Sequence, residues 1–171
     1  MKRIVADSGP LIAFGRSGLL DLLRQIVGEI LVPSTVYSEC ASDAAKPGAA
    51  VIIQARETGL LDVRPDVNAE EVLPESLPSL GVGEIAALAL AFDQGCLLLM
   101  DERLGRNVAK LHKIPVIGSA GVLLAAKERG LIPEIAPTLL SWRSWGYFLS
   151  PGLMEAVLRR AGEKPEDMSS Q

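Results

Sequence analysis

The chain has 171 residues, 49% of them hydrophobic and only 4% aromatic, with 17 basic and 21 acidic side chains for a net charge of −4. That length suits one domain with a substantial core, while the acidic balance argues against passive nucleic-acid binding through a basic field. The few aromatics leave no base-stacking platform, and Cys40 and Cys96 stand in no redox or metal-ligand spacing, so they read as buried thiols rather than a disulfide framework.

In chain order, Arg3–Ala6 predicts a short apolar strand running into Asp7, and Ser8-Gly9-Pro10 predicts a turn. Leu11–Phe14 reads as a helical turn, and Leu19–Ile26 as an amphipathic helix with Asp21 and Arg24 on its wet side. Glu29–Val32 is a second strand closed by Pro33, and a helix through Val36, Tyr37 and Glu39 follows from Ser34. Lys46-Pro47-Gly48 breaks that helix, Ala49–Thr58 forms another, and Leu60–Val63 is a third strand. The polar, proline-bearing stretch Asp66–Ser79 predicts a mobile loop with at most one irregular turn.

Gly81-Val82-Gly83-Glu84 opens a strong helix through Asp93, ended by Gln94-Gly95. Cys96–Met100 is a continuous apolar strand ending in Asp101-Glu102, Arg103–His112 is a helix, and Pro115–Ile117 is a last strand before a helix at Ala120–Arg129. Two further helices follow at Pro133–Trp142 and Pro151–Gly162, and Lys164–Gln171 is a polar, frayed end. Strands alternating with helices predict an α/β fold with a parallel sheet of four or five strands covered on both faces. The longest apolar run, Ile85–Met100, is broken by Asp93, Gln94 and Gly95, and the N-terminal run is too short for a signal peptide, so the expectation is a cytoplasmic protein with no membrane span.

In an open α/β sheet, ligands bind beyond the carboxyl ends of the strands. Asp7 stands at the first such end, and Asp101 and Glu102 at another; Glu39 and Glu84 come from helices that flank them. Singly, each has a local role: a turn or cap for Asp7 and Asp101, a solvated helix face for Glu39, a helix N-terminal charge for Glu84. Jointly they form a carboxylate cluster whose mutual repulsion a hard cation, Mg²⁺ or Mn²⁺, would relieve. Shared acidic ligands of this kind suit metal-assisted phosphodiester hydrolysis. Arg103, Arg106 and Lys110 recur at helical spacing as a solvated face, or as phosphate contacts beside Asp101. His112 and Arg159-Arg160 read as helix-end charges, and Trp142 and Trp145 as packing residues. Gly81-x-Gly83 has no strand before it and is not a dinucleotide fingerprint.

The segments Val5-Ala6-Asp7-Ser8-Gly9-Pro10-Leu11-Ile12, Val32-Pro33-Ser34-Thr35-Val36-Tyr37-Ser38-Glu39, Gly81-Val82-Gly83-Glu84-Ile85-Ala86-Ala87 and Leu98-Leu99-Met100-Asp101-Glu102-Arg103, with Ile114–Leu124, resemble the PIN domain. The likeness is closest to an uncharacterised subgroup of small prokaryotic PIN-like proteins of the DUF3368 type. It implies a three-layer α/β/α fold, with residues 1–130 as the PIN-like nuclease domain, residues 131–171 as C-terminal helices packed on the same domain, and a disordered end. It also implies cleavage of single-stranded RNA with Mg²⁺ or Mn²⁺. Asp7, Glu39, Glu84 and Asp101 would be the acidic quartet, Asp7, Glu84 and Asp101 the metal ligands, and Ser8, Glu102 and Arg103 supporting residues. Relatives in the family place the last acids further along, so Glu102 competes with Asp101. Many relatives are toxins with an antitoxin partner and many form homodimers, a state the high apolar fraction also suggests. A catalytically inactive nucleic-acid-binding or interaction protein on the same fold is the alternative. A phosphoryl-accepting receiver domain ranks last, because Ser8 and Gly9 stand where its paired acid would.

Overall fold

The structure, a computed structural model, describes residues 2–73, 77, 79–147 and 149–165. Parts of the 66–79 segment (74–76 and 78) and most of the expected frayed end (166–171) lie outside these residues. The chain divides into two compact units, Met1–Gly118 and Ser119–Gln171.

The first unit is organised by a five-stranded sheet of order β3-β2-β1-β4-β5, parallel throughout. Its strands are β1 (Arg3–Ala6), β2 (Glu29–Pro33), β3 (Leu61–Arg64), β4 (Leu97–Leu99) and β5 (Val116–Ile117). The three central strands are apolar without alternation: Ile4, Val5, Ala6, Ile30, Leu31, Val32, Leu98 and Leu99 are all fully buried. A strand buried on both faces has no wet side on which to place a polar residue. The edges differ. On β3, Asp62 and Arg64 form an exposed ion pair that charges the open edge against further pairing.

Helices flank the sheet: α1 (Ser8–Arg16), α2 (Leu20–Val27), α3 (Ser34–Ala41), α4 (Ala49–Glu57), α5 (Ala69–Val72), α6 (Val82–Gln94) and α7 (Arg103–Leu111). In α2 the apolar stripe Leu20, Leu23, Ile26 and Val27 is buried while Asp21 and Arg24 face out, as its periodicity predicts. Arg24 then reaches the carbonyls of Gly59 and Leu60, at 2.9 and 3.2 Å. Gly28 closes α2 at φ +85°, and a Cβ there would lie 2.1 Å from the Lys2 carbonyl oxygen, so only glycine lets α2 turn directly into β2.

The sequence reading differs from the structure in two places here. Ser8-Gly9-Pro10 is the first turn of α1 rather than a separate turn. Proline is tolerated there because first-turn amides have no acceptor within the helix. Within 66–79, α5 forms one turn of true helix, capped by the Asn68 side chain on the Glu70 amide at 3.1 Å and followed by buried Leu73.

The second unit holds α8 (Ser119–Glu128), α9 (Ala136–Ser144) and α10 (Pro151–Arg160). Trp142 is fully buried and meets Tyr147 edge-on at 5.6 Å. Glu163 binds the start of α9. Its carboxylate accepts from the amides of Ile135 and Ala136 at 3.0 Å each and from Lys127 Nζ at 2.9 Å. Burial alone would push this carboxyl up. The hydrogen bonds from Lys127, Ile135 and Ala136 outweigh it and hold Glu163 below the usual glutamate range. Among the described residues no helix is long and apolar enough to cross a membrane.

Candidate active site

The strand order explains where a site forms. The crossovers β1 to β2 and β2 to β3 run outward in one direction, and the connection through α6 then returns to the other side of β1. The reversal lies between β1 and β4, which is where open α/β sheets leave a crevice at their carboxyl ends. The register pairs Ala6 with Leu99. Asp7 therefore emerges beside Met100, with Asp101 one residue further on.

Asp7 is fixed by its backbone before its side chain is considered. Its amide donates to the Leu99 carbonyl at 3.0 Å, and its carbonyl accepts the Leu11 amide at 3.2 Å, the first bond of α1. The side chain is carried inward and only 5% of the residue is exposed. One carboxyl oxygen, Oδ1, is buried with no hydrogen-bond partner among the described residues. Burial pushes the carboxyl up from 3.8 to about 7, against the pull of the Ser8 amide. The negative charges of Glu84, Glu39 and Asp101 contribute to the same rise, in that order. Three of the acids singled out in the sequence thus act in space on the fourth, Asp7.

Each of the other three is placed by a separate element. Glu39 lies in α3 with its carboxylate against the first turn of α6; a Cβ on Gly83 would fall 2.3 Å from Glu39 Oε2 and 2.6 Å from Oε1. Glycine at 83 is what admits the carboxylate to this helix N-terminus, where the dipole favours it. Glu84 turns back on its own helix, accepting the Gly81 amide at 2.6 Å, so the local role expected of it is present. Asp101 follows β4 and is half-buried, its Oδ1 lying 2.9 Å from where a Cβ on Gly118 would be, with Arg106 Nη1 at 3.0 Å from the same point.

The supporting residues fall differently. Glu102 caps α7, its Oε2 accepting the Gly105 amide at 2.5 Å. Of the two adjacent acids it is Asp101 whose charge reaches Asp7. The backbone N–H of Ser8 acts on the Asp7 carboxyl and lowers it. Arg103 is exposed at the first position of α7. Arg106, a candidate phosphate contact by spacing, instead donates to the Met100 carbonyl at 3.0 Å and so braces the turn that carries Asp101. Cys40 is buried, its thiol donating to the Ser8 carbonyl at 4.0 Å. Burial and the charges of Glu39 and Asp7 push it up to about 12, which leaves it an inert thiol as expected.

Lys46, read only as part of a helix break, and the hydroxyls of α3 were not singled out as functional in the sequence. Ser34, Thr35, Ser38, Glu39, Ser42, Lys46 and Asp66 line an open groove of about 500 Å³ that includes the Glu39 carboxylate. The signal was present: Ser34, Ser38 and Ser42 are four residues apart, one stripe on a helix.

The donor set is oxygen only, which suits Mg²⁺ or Mn²⁺, and the orphaned Asp7 oxygen is an acceptor in want of a cation or a proton. Among the described residues no three His, Cys, Asp or Glu side chains converge as a ready-made ion cage. The acids fit such an ion in donor chemistry. A family model described as PIN domain (DUF3368) matches residues 3–163, and no curated protein matches the chain.

Proposed function

This chain belongs to the PIN-domain family, a family of nuclease type, and from that premise we propose that it is a metal-dependent endoribonuclease cutting phosphodiester bonds in single-stranded RNA. The observation that carries the proposal is Asp7, a buried carboxyl with an unpartnered oxygen, raised to about 7 by burial and by three further carboxylates. Such an arrangement costs folding energy, so its use is to be sought in function.

Mg²⁺ or Mn²⁺ held by Asp7, Glu84 and Asp101 would supply charge neutralisation at the phosphate and polarisation of the attacking water. The chain's own residues do the rest. Asp7 must lose its proton to act as a ligand, so metal binding there competes with protons. The Ser8 amide fixes the Asp7 carboxyl, and Arg106 braces the turn before Asp101. Glu39, held on the α6 N-terminus, orients the incoming water. Arg103, exposed two residues after Asp101, would meet the substrate strand.

The same reading takes in the partners that the family resemblance implies: a cytoplasmic homodimer whose acidic site an antitoxin protein covers. Light scattering at micromolar concentration and co-purification with the product of a co-transcribed neighbour test these. The central test incubates the pure chain with labelled single-stranded RNA and Mn²⁺, with EDTA and an Asp7→Asn/Asp101→Asn variant as controls. Cleavage that needs both metal and acids supports the reading. Binding without cleavage across many RNAs supports the second reading, a non-catalytic binding protein, which the net charge of −4 and the unclosed acid set favour.

A further inference from the structure

The groove beside Glu39 is built asymmetrically. Ser34 and Thr35 are committed to holding the chain after β3: Ser34 donates to the Arg64 carbonyl at 3.0 Å, and the Thr35 amide and hydroxyl donate to the two oxygens of Asp66 at 3.0 and 2.5 Å. Asp66 is thereby pinned, and its charge is partly answered by two donors. Further along, the hydroxyls of Ser38 and Ser42 are exposed and make no hydrogen bond among the described residues. A helical serine ordinarily turns its hydroxyl to the carbonyl four residues back. Lys46 is exposed and in no ion pair among the described residues, yet its charge is felt at Cys40, next to Glu39 in α3. One cation and two uncommitted donors therefore share the groove with the carboxylates of Glu39 and Asp66.

Every residue that lines the groove is polar or charged, which favours a polar ligand. Its volume of about 500 Å³ lies within the roughly 300–1,000 Å³ typical of ligand pockets, and it opens broadly to solvent. We infer that the groove seats the sugar–phosphate backbone of a single RNA strand beside the carboxylates, with Lys46 and the Ser38 and Ser42 hydroxyls taking a phosphate. Charge-assisted donors of this kind are the usual backbone contacts. The inference rests on the nuclease reading for its substrate class and adds the path by which the strand leaves the site.

The test measures binding and cleavage separately on the full chain. Binding of a fluorescein-labelled oligouridine is followed by anisotropy in EDTA at several salt concentrations, and cleavage of the same strand is followed with Mn²⁺. Lys46→Ala should weaken binding and raise KM about three- to tenfold while leaving kcat within about twofold. It should also flatten the plot of log K against log salt by about 0.7, one phosphate on a single strand. Lys46→Arg should restore both, and Ser38→Ala/Ser42→Ala should weaken binding without changing the salt slope. Lys2→Ala removes the same charge at the far end of β1 and should change neither. A Lys46→Ala protein indistinguishable from Lys2→Ala in affinity and slope overturns the inference; if the wild type still cleaves, the nuclease reading stands without it. Lys46-dependent binding with no cleavage supports the groove and removes the nuclease reading. A wild type that binds no RNA overturns the groove whatever else it does.

Discussion

Replacing Asp7 by Asn keeps the shape of the side chain and removes its titration. The stability change follows from the raised carboxyl. Below about 3.8 the unfolded and folded states both carry the proton, and Asp7 contributes no difference. Between about 3.8 and 7 the unfolded chain gives up its proton while the folded chain keeps it, so stability falls as pH rises. Above that window both states are ionised and the full penalty remains. At ~1.4 kcal/mol per tenfold change in proton affinity, the gap from 3.8 to about 7 corresponds to about 4 kcal/mol at pH 8. Asp7→Asn should therefore be the more stable protein in EDTA at pH 8, with a thermal midpoint higher by on the order of 10 °C. The gap should close as the pH approaches 4. Circular dichroism melts of both proteins across that range provide the measurement. Adding Mn²⁺ at pH 8 should raise the wild-type midpoint and leave that of the variant unmoved. An Asp7→Asn protein no more stable than wild type at pH 8 without metal, or a gap that persists at pH 4, would refute the reasoning that repulsion and burial store energy at this carboxyl.

Three further outcomes are expected. Glu102→Ala should cost about 1 kcal/mol as a lost helix cap yet retain metal-dependent cleavage, while Asp101→Asn should abolish cleavage with little loss of stability; urea titration and a cleavage assay on both separate the two acids. Gly83→Ala should fold, because the atoms in its way are the end of a flexible side chain, but it should displace Glu39 and cut kcat by at least tenfold, read against unchanged far-ultraviolet dichroism. Glu163→Ala strands Lys127 and the amides of Ile135 and Ala136, and should destabilise the second unit by about 2–3 kcal/mol in urea. Because the Glu163 carboxyl sits below its usual range, acid should erase that difference as the pH falls through its native pKa.

The strands were legible because a parallel sheet buried on both faces demands uninterrupted apolar runs, and Ile4–Ala6, Ile30–Val32 and Leu97–Leu99 carry nothing else. The parallel α/β class followed from the alternation of those runs with helices, while the family came from the likeness of whole segments such as Val5–Ile12 and Leu98–Arg103. Local chemistry was harder to read. Ser8-Gly9-Pro10 has the composition of a turn, and only the pairing of Asp7 with Leu99 and Leu11 shows that the helix has already begun. Asp101 and Glu102 are adjacent and similar in side-chain chemistry; a cap on Gly105 separates them, and that is a fact of three dimensions. Arg106 was a cation at a suggestive spacing, but its target is the backbone of Met100. The serine stripe on α3 was visible as a pattern, yet nothing in the chain said that Lys46, beyond the helix end, would close the same groove.

The sheet also bears on the order in which the site comes into being. Most of its pairings are local in the chain: Ile4 with Ile30, Ile30 with Leu61, Leu98 with Val116. The exception is Ile4 with Leu97, and it is at this seam that Asp7 and Asp101 meet. Closing so long a loop costs more entropy than any other step in the sheet, so this pairing is the natural last one to form. A chain synthesised only through α6 already contains Asp7, Glu39 and Glu84, and can pair β1 with β2 and β3, but it has no strand to bring up the fourth acid. A site that needs all four acids is therefore incomplete until β4 pairs beside β1.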